Sequence, residues 1–336
     1  MSTDRRATLR DVARESGVSV STASRALKND QQISEATRER VRTAAAALAY
    51  MPDLVARSLA LRASSVLGLL VPDVTDPIHG SVVSGFEQAA HAAGYTTIVA
   101  NSLGDTERER RAISEFASHR VDGLALMGCY LDLGSVRTLT RPSPVISMNT
   151  ERMHKGRRAE LPLGCIRPDE PAGMRALVEH LVEQDCRRIA YVGIEGGAAN
   201  AIRAAVVAAE VARCLGDAPV TFLPWRPDDR PGVASELVAA GVDGALGYDD
   251  RVALGLLDGL RSIGISVPRD MAVAGFDNTS FAEISNPRLT TVRQPAAEMG
   301  AMAVAELTWA IEHGSLRPST VLPVELVVRE STIRRG

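Results

Sequence analysis

Residues 8–27 read TLRDVARESGVSVSTASRAL, and this stretch decides the fold of the N-terminal part of the chain. Thr8, followed three residues later by Asp11, has the pattern of a capped helix start, and Gly17 ends that helix. Ser19 can cap a second, short helix. Two helices joined by a glycine turn predict a helix-turn-helix.

The second predicted helix carries small side chains suited to a DNA groove. Residues 20–27 include Ser21, Thr22 and one arginine, Arg25. Small polar side chains let a helix approach base edges in a major groove about 12 Å wide, and an arginine can reach phosphate or guanine. Ser34 caps a third helix with one apolar stripe. The open alternative is a three-helix module for protein contacts.

The segment after Pro52 predicts two to three helical turns over residues 53–62. A helix this short is marginal in water and needs a partner to stay folded. Leu59 can act as a wedge between base steps in a minor groove. The residues that flank it are Ala56, Arg57 and Ala60. The alternative is a linker helix that packs on the rest of the chain.

Charge is divided unevenly along the 336 residues. Residues 1–62 carry 11 Lys and Arg against 7 Asp and Glu, a net charge of +4, and the remainder carries −7. A basic head on an acidic body is expected if only the head touches a polyanion, although solvated helices give the same balance.

Several classes of protein are disfavoured by what the sequence lacks. No apolar run reaches the ~18 residues of a membrane span, and no apolar signal core follows the N-terminus, which predicts a cytoplasmic protein without a membrane partner. The cysteines form no C-x-x-C pair, and no histidine has zinc-ligand spacing. We therefore expect no metal, disulfide or cofactor, and cysteines that lie in the core.

From Ser65 onward the pattern alternates between strands and helices. Seven apolar runs predict buried parallel strands. They are Val66–Val71, Thr97–Ala100, Leu124–Met127, Val145–Met148, Ile189–Val192, Ala245–Tyr248 and Ala272–Phe276. A capping box from Thr106 to Glu109 predicts a helix start. The repeat Val-Asp-Gly at 121–123 and 242–244 predicts two similar lobes with a cleft at the strand C-termini.

These residues together resemble the LacI/GalR family of transcriptional regulators. In the head, the motifs that carry the resemblance are Thr8–Ala13, Gly17–Ser19, Ser24–Leu27, Ile33–Val41 and Ala47–Pro52. Further along, they are Val66–Pro72, Arg120–Leu124, Asp250–Gly255, Gly275–Asn278, Leu289–Pro295 and Leu322–Arg329. The resemblance covers nearly the whole chain.

The resemblance implies an all-α helix-turn-helix head and an α/β periplasmic-binding-protein-like core of two doubly wound lobes. The expected boundaries are 1–52 for the head, 53–63 for a hinge helix and 64–336 for the core. Within the core, the expected first lobe is 64–163 with 291–321, and the second is 164–290 with 322–336. The family also implies a homodimer on double-stranded operator DNA and a small-molecule effector, a sugar or another metabolite.

Functional residues carry over from the family by position. In the head, the DNA-binding positions are Thr8, Ser19, Val20, Ser21, Thr22, Arg25 and Ser34. In the hinge, they are Ala56, Arg57, Leu59 and Ala60. The expected effector-binding residues are Asp76, His79, Asn149, Arg203, Trp225 and Asp250.

Some of these positions have a simpler interpretation. Arg203 near a helix start can be a solvated charge, Trp225 a cover over the core, Asp250 a helix N-cap and His79 a surface residue. The chain also departs from the family pattern in the head, hinge and cleft. The departing residues are Lys28, Asp53, Ile78, His79, Asn149, Pro168, Asp169, Asp185 and Cys186.

Two other functions share the predicted core. A nucleotide-binding enzyme would need a phosphate loop, but the glycines at 193, 196 and 197 lack the G-x-G-x-x-G spacing and no P-loop lysine follows. No G-x-S-x-G nucleophile motif is present either. A transport solute-binding protein would need export and would carry no DNA-binding head. The sequence therefore favours a non-enzymatic, sequence-specific repressor of a catabolic or transport operon.

Overall fold

The computed structural model describes most of the chain. The described residues are 7–50, 63–131, 133–140, 142–149, 153–154, 157–158, 164–195, 198–216 and 218–334. The predicted hinge residues Ala56, Arg57, Leu59 and Ala60, with Asp53, lie outside them. The chain forms two compact units, residues 1–64 and residues 65–336.

The first unit is the predicted three-helix head. Its helices are α1 (Leu9–Glu15), α2 (Val20–Leu27) and α3 (Glu35–Ala47). Their apolar faces form one small core, because valine and alanine side chains allow short helices to approach closely. The buried residues are Val12, Ala13, Ala23, Ala26, Val41, Ala44 and Ala45.

Side-chain caps begin all three helices at the predicted residues. The Ser19 hydroxyl accepts from the N–H of Thr22 at 3.0 Å, and Ser34 caps α3 in the same way. Thr8 and Asp11 form a reciprocal pair, in which the Asp11 carboxylate accepts from the N–H of Thr8 at 2.9 Å. Each cap satisfies an N–H that the helix leaves without an internal partner.

The second unit alternates strands and helices. Its strands are β1 (Val66–Val71), β2 (Thr96–Asn101), β3 (Gly123–Met127), β4 (Val145–Met148), β5 (Met153–His154), β6 (Arg157–Arg158), β7 (Cys165–Pro168), β8 (Ile189–Gly193), β9 (Thr221–Pro224), β10 (Gly244–Gly247), β11 (Ala272–Ala274), β12 (Thr291–Arg293), β13 (Thr320–Leu322) and β14 (Glu325–Val327). Its helices are α4 (Pro77–Ala92), α5 (Thr106–Ser118), α6 (Leu133–Thr140), α7 (Glu170–Glu183), α8 (Ala198–Leu215), α9 (Arg230–Ala239), α10 (Asp250–Ser262), α11 (Ser280–Ile284) and α12 (Ala296–His313).

Two parallel sheets organise this unit. One has the strand order β13-β7-β4-β3-β1-β2, and the other has the order β11-β10-β8-β9. Both faces of β1 are covered, with Leu67 and Leu69 packed in the cluster that contains Phe86, and Leu70 in the cluster that contains Phe116. A strand buried on both faces explains the continuous apolar run in the sequence.

All seven predicted strands are present, with ends that differ by two residues or fewer. Cys129, Cys165 and Cys186 are buried, and Cys214 is half-buried. No helix in the described ranges is long and apolar enough to cross a membrane.

The predicted lobe boundaries were wrong by several residues. The strand at 165–168, which we assigned to the second lobe, pairs with β4 and β13 in the first sheet. The strand at 291–293, assigned to the first lobe, pairs with β14 beside α7. Cys165–Pro168 and Thr320–Leu322 therefore belong to the sheet of the first lobe, and Thr291–Arg293 lies with β14 in the second. The pairing of strands that are distant in sequence sets these boundaries, and local composition does not reveal which strands pair.

The predicted capping box at the start of α5 was also wrong. Asp105 is the N-cap and accepts from the N–H of Arg108 at 2.8 Å. Glu109 instead turns into the lobe, where its carboxylate accepts from the N–H groups of Tyr130 and Leu131, both at 2.9 Å. It therefore fixes the loop after β3, which is a tertiary role that local spacing does not predict.

Two glycines allow α4 and α12 to approach closely. A methyl group at Gly85 would lie 2.0 Å from the carbonyl oxygen of Ala297, and one at Gly300 would lie 2.2 Å from that of Val82. Both neighbours are backbone atoms, so relief requires movement of a whole helix.

We predict that Gly85→Ala destabilises the protein by about 1–3 kcal/mol, because it separates α4 from α12. Gly80→Ala in the same helix is the control, since a methyl group there meets nothing within 4 Å. It should be neutral or stabilising by up to about 1 kcal/mol. Thermal unfolding followed by circular dichroism measures both, and equal midpoints for the two variants would contradict the packing described.

Candidate functional sites

The N-terminal end of α2 presents an exposed surface in the head. Val20 is 42% exposed, and Ser19 and Ser21 are exposed beside it. Ala23 and Ala26 on the opposite side are fully buried. The helix therefore keeps its small apolar residues for the core and leaves its first turn available to a partner.

Several predicted DNA-binding residues also act as caps. The hydroxyl groups of Ser19 and Thr22 lie 2.8 Å apart, and Ser34 donates to the Thr37 hydroxyl at 2.9 Å. The hydroxyl of Thr8 donates to the Asp11 carboxylate at 2.7 Å. These residues shape the helix starts, and their contact with DNA stays a prediction.

Arg25 forms hydrogen bonds with two residues that were not predicted from the sequence, Asp30 and Gln32. Its Nε donates to Asp30 Oδ2 at 2.7 Å, and its Nη2 donates to Gln32 Oε1 at 2.5 Å. The N–H of Gln32 in turn donates to Asp30 Oδ1 at 2.9 Å. The hydrogen bond from Arg25 is the main reason that the pKa of Asp30 lies below its usual range.

The second lobe contains a cavity of about 480 Å³. Three of its lining residues follow strand ends, namely Ile194 after β8, Trp225 after β9 and Asp249 after β10. The others are Pro227, Arg230, Arg251, Val252, Leu254 and Gly255. These residues place the cavity at the C-terminal edge of the second sheet, which is where such folds bind ligands.

Trp225 forms one wall of this cavity, and its place depends on a glycine. Its N–H donates to the carbonyl of Gly193 at 2.7 Å, which fixes the backbone. A methyl group at Gly255 would lie 2.3 Å from Cη2 of the indole, so only glycine lets the ring rest on α10. The ring also packs against the core of the second lobe, so Trp225 can both cover that core and form a wall of a ligand site.

Arg203 is buried and partnered, so the interpretation as a solvated charge is wrong. Its Nη2 donates to Glu170 at 2.7 Å and its Nη1 donates to the carbonyl of Tyr248 at 2.5 Å. The guanidinium lies 4.0 Å from the centroid of Phe276, and Nε has no hydrogen-bond partner among the described residues. Burial is the largest single influence and disfavours the charged form, but Glu170, Tyr248 and Asp277 together outweigh it, and the pKa of Arg203 is raised.

Asp250 is the first residue of α10 and is not the helix cap. Asp249 caps α10 by accepting from the N–H of Val252 at 2.8 Å. Asp250 is fully buried and accepts from the N–H of Thr279 at 2.6 Å and the hydroxyl of Thr291 at 2.5 Å. Burial raises the pKa of Asp250 to about 6, although the hydrogen bonds from Thr291 and Thr279 act to lower it.

Asp277 is a second buried acid near Asp250. Gln294 donates to its Oδ1 at 2.5 Å. Burial and the charge of Asp250 raise the pKa of Asp277 well above its usual value, although Arg203 opposes them. The predicted anchors Arg203 and Asp250 therefore belong to one buried polar group with internal partners.

An ion pair joins the two lobes. Arg251 Nη2 lies 3.1 Å from Asp76 Oδ2 in the first lobe and 3.0 Å from Asp249 Oδ2 in its own lobe. Asp76 also caps α4 by accepting from the N–H of Ile78 at 3.1 Å. We call these three residues the interlobe latch. Sequence reasoning included Asp76 but missed Arg251, which directly follows the two acids at the start of α10.

The other predicted cleft residues bond within the first lobe. His79 Nδ1 lies 2.7 Å from the carbonyl of Asp73, and the N–H of Asn149 donates to the carbonyl of Ile166 at 3.0 Å. Asn149 has a φ of 50°, which an asparagine adopts at little cost. Among the described residues, no group of three or more His, Cys, Asp or Glu is placed to hold a metal ion.

Comparison with known proteins gives two matching domain families. Residues 8–53 match the model for bacterial regulatory proteins of the lacI family, and residues 178–332 match the periplasmic binding protein-like domain. The first match covers the three-helix head, and the second covers most of the second lobe.

Individual proteins are similar over nearly the whole chain. The HTH-type transcriptional regulator GalR of Escherichia coli is 32% identical over 335 residues, which cover 97% of this chain and 95% of that protein. The ribose operon repressor of Halalkalibacterium halodurans is 30% identical over 334 residues, with 97% of each covered. A lac repressor dimer bound to operator and the anti-inducer ONPF superimposes with a TM-score of 0.86 at 25% identity, covering 98% of this chain and all of that one.

Proposed function

This chain belongs to the lacI family of bacterial regulatory proteins and is a DNA-binding transcriptional regulator, and we propose that it represses an operon under the control of a small-molecule effector. The observation that carries the proposal is the exposed first turn of α2, with Ser19, Val20 and Ser21 in front of the held guanidinium of Arg25. Small side chains followed by an arginine suit a helix that reads base edges.

We propose that the protein binds its operator as a homodimer. The solved lac repressor that it resembles is a dimer on operator DNA. In this chain, β2 and β9 each lie at one edge of a parallel sheet, and Phe222 on β9 is 48% exposed. Ile284 of α11 is 77% exposed. Unpaired edges and large exposed apolar side chains are features of surfaces that a partner covers.

We propose that the effector binds in the cavity beside Trp225. The indole offers a flat apolar wall, and Nε of Arg203, which has no hydrogen-bond partner in the part of the chain that the structure describes, is a buried donor in the same lobe. The two arginines that line the cavity are already paired, Arg230 with Asp258 and Arg251 with Asp76 and Asp249, so an uncharged polyol fits the site better than an anion. A sugar or another neutral metabolite is therefore the effector class.

The proposed regulation depends on the arrangement of the two lobes. A ligand shifts an equilibrium only by its differential affinity for two states, so the effector must favour one lobe arrangement over the other. Coupling of ~1–3 kcal/mol gives a 5- to 150-fold change in operator affinity. The protein acts by binding rather than by turnover, in the cytoplasm where operator DNA lies.

We predict that Arg25→Ala lowers operator affinity by ~5-fold or more, because a base or phosphate contact is worth ~1–3 kcal/mol. The operator is first selected from random duplexes with the full-length protein, and affinity is then measured by fluorescence anisotropy at several salt concentrations. Arg40→Ala, which removes the same charge from exposed α3, is the matched control. Equal operator affinities for the wild type and Arg25→Ala would contradict the proposal that α2 is the DNA recognition helix.

We predict that an effector changes the fluorescence of Trp225 and loses affinity when Arg203 is replaced by alanine. Trp309 is first replaced by phenylalanine, since it is the other tryptophan. Sugars and nucleosides are screened by thermal shift, and positive compounds are titrated. A ligand whose affinity survives both Arg203→Ala and Trp225→Phe would place the effector site elsewhere.

A further inference from the structure

The guanidinium of Arg25 has two hydrogen-bonding edges, and the head occupies only one of them. Asp30 and Gln32 take the side edge, which is formed by Nε and Nη2. The end of the group, formed by Nη1 and the second N–H of Nη2, carries no hydrogen bond in the part of the chain that the structure describes. An arginine contacts guanine O6 and N7 with two such parallel N–H groups.

The hydrogen bonds that Asp30 and Gln32 make to Arg25 form a connected network, which we call the Arg25 clamp. Asp30 uses both carboxylate oxygens, one for Arg25 Nε and one for the N–H of Gln32. The second bond closes the turn that follows α2 and so fixes where the carboxylate stands. Gln32 then adds a contact to Nη2 through its side chain. Arginine otherwise loses about 2 kcal/mol of rotamer freedom when it is ordered, and the clamp removes part of that cost in advance.

An acid at this place is unfavourable for DNA binding in general. A carboxylate beside a reading arginine repels the phosphate backbone and reduces the positive charge of the head, so it weakens attraction to any sequence. Its benefit is confined to contacts that need one orientation of the arginine. Fixed orientation favours the correct base over the others, whereas a free arginine can move to a phosphate instead.

We propose that Asp30 is a positioning residue for operator specificity, which holds Arg25 so that the end of its guanidinium faces a guanine in the major groove. The inference rests on the proposed function of α2 as the DNA recognition helix. It assigns Asp30 no contact with DNA, and its effect passes entirely through Arg25. Loss of Asp30 should therefore lower discrimination at the base pair that Arg25 reads and leave the others unchanged.

Asp30→Asn is the decisive variant. The amide oxygen can still accept from the N–H of Gln32 and keep the turn, but the amide NH2 then faces Arg25 Nε, and two donors do not bond. Glu39→Gln is the matched control, because it removes one exposed acid from α3 of the same head, where Glu39 lies 3.5 Å from Arg42.

The experiment uses the full-length protein and its selected operator duplex. Anisotropy gives the affinity for that duplex, for each single-base-pair substitution and for a scrambled duplex. Preferences lost in Arg25→Ala identify the base pairs that Arg25 reads. At those pairs we expect Asp30→Asn to reduce discrimination at least fivefold, while preferences set by Val20 and Ser21 and the thermal unfolding midpoint stay as in the wild type.

Three results would overturn the inference. If Asp30→Asn binds operator and scrambled DNA more tightly by the same factor as Glu39→Gln, then Asp30 contributes only its charge. If it binds the operator more tightly with unchanged or sharper discrimination, then Asp30 restrains Arg25 instead of directing it. If the preferences at all base pairs weaken together, the role is structural. A wild type that selects no sequence would instead refute the proposed function, so the two failures are distinguishable.

Discussion

The ion pair between Asp76 and Arg251 is the constraint on which the arrangement of the core depends. Each residue stands at the start of a helix, Asp76 as the cap of α4 and Arg251 in the first turn of α10. Because α4 packs on α12 through Gly85 and Gly300, Asp76 is tied to the rigid part of the first lobe. Arg251 is tied to the second lobe through Asp249.

The strength of this latch suits an equilibrium rather than a permanent closure. Arg251 is about half exposed whereas Asp76 is buried, so solvent screens the ion pair in part and its contribution is on the order of 1 kcal/mol. A contact of that size leaves both lobe arrangements accessible, so a ligand of modest affinity can shift the balance between them. The buried Arg203–Glu170 pair behaves differently, because breaking it leaves an unpaired charge inside the lobe. One pair is therefore suited to switching, and the other to holding the second lobe together.

Local patterns in the sequence predicted the local parts of the structure. The helix caps at Thr8, Ser19 and Ser34 and the apolar strands depend on residues close in sequence, and the structure has them where expected. The lobe boundaries depend on which strands pair across long separations, as β7 does with β13. No periodicity in a strand of four residues reports its partner, and so the boundaries were misplaced.

The candidate sites also combine features that neighbouring residues determine with features that tertiary packing determines. Trp225 lines the cavity because it directly follows the end of β9, and its contact with an effector stays a prediction. Arg203 and Asp250 were predicted from the family pattern as polar anchors for the effector, and the structure adds that both are buried with partners from other elements. Glu170 is 33 residues from Arg203, and Thr291 is 41 residues from Asp250. Partners so distant are set by tertiary packing, which a pattern of neighbouring residues does not contain.

The most direct measurement of the central claim is a double-mutant cycle on the interlobe latch, with operator affinity of the full-length protein as the readout. Asp76→Asn keeps the cap of α4 but removes the charge, and Arg251→Gln removes the other partner. If the latch sets the lobe arrangement, each single variant changes operator affinity by about two- to fivefold, and the double variant changes it no further. Arg261→Gln, whose partner Asp258 lies on the same helix, should leave operator affinity unchanged. Additive effects, or single variants that bind operator like the wild type, would contradict the account.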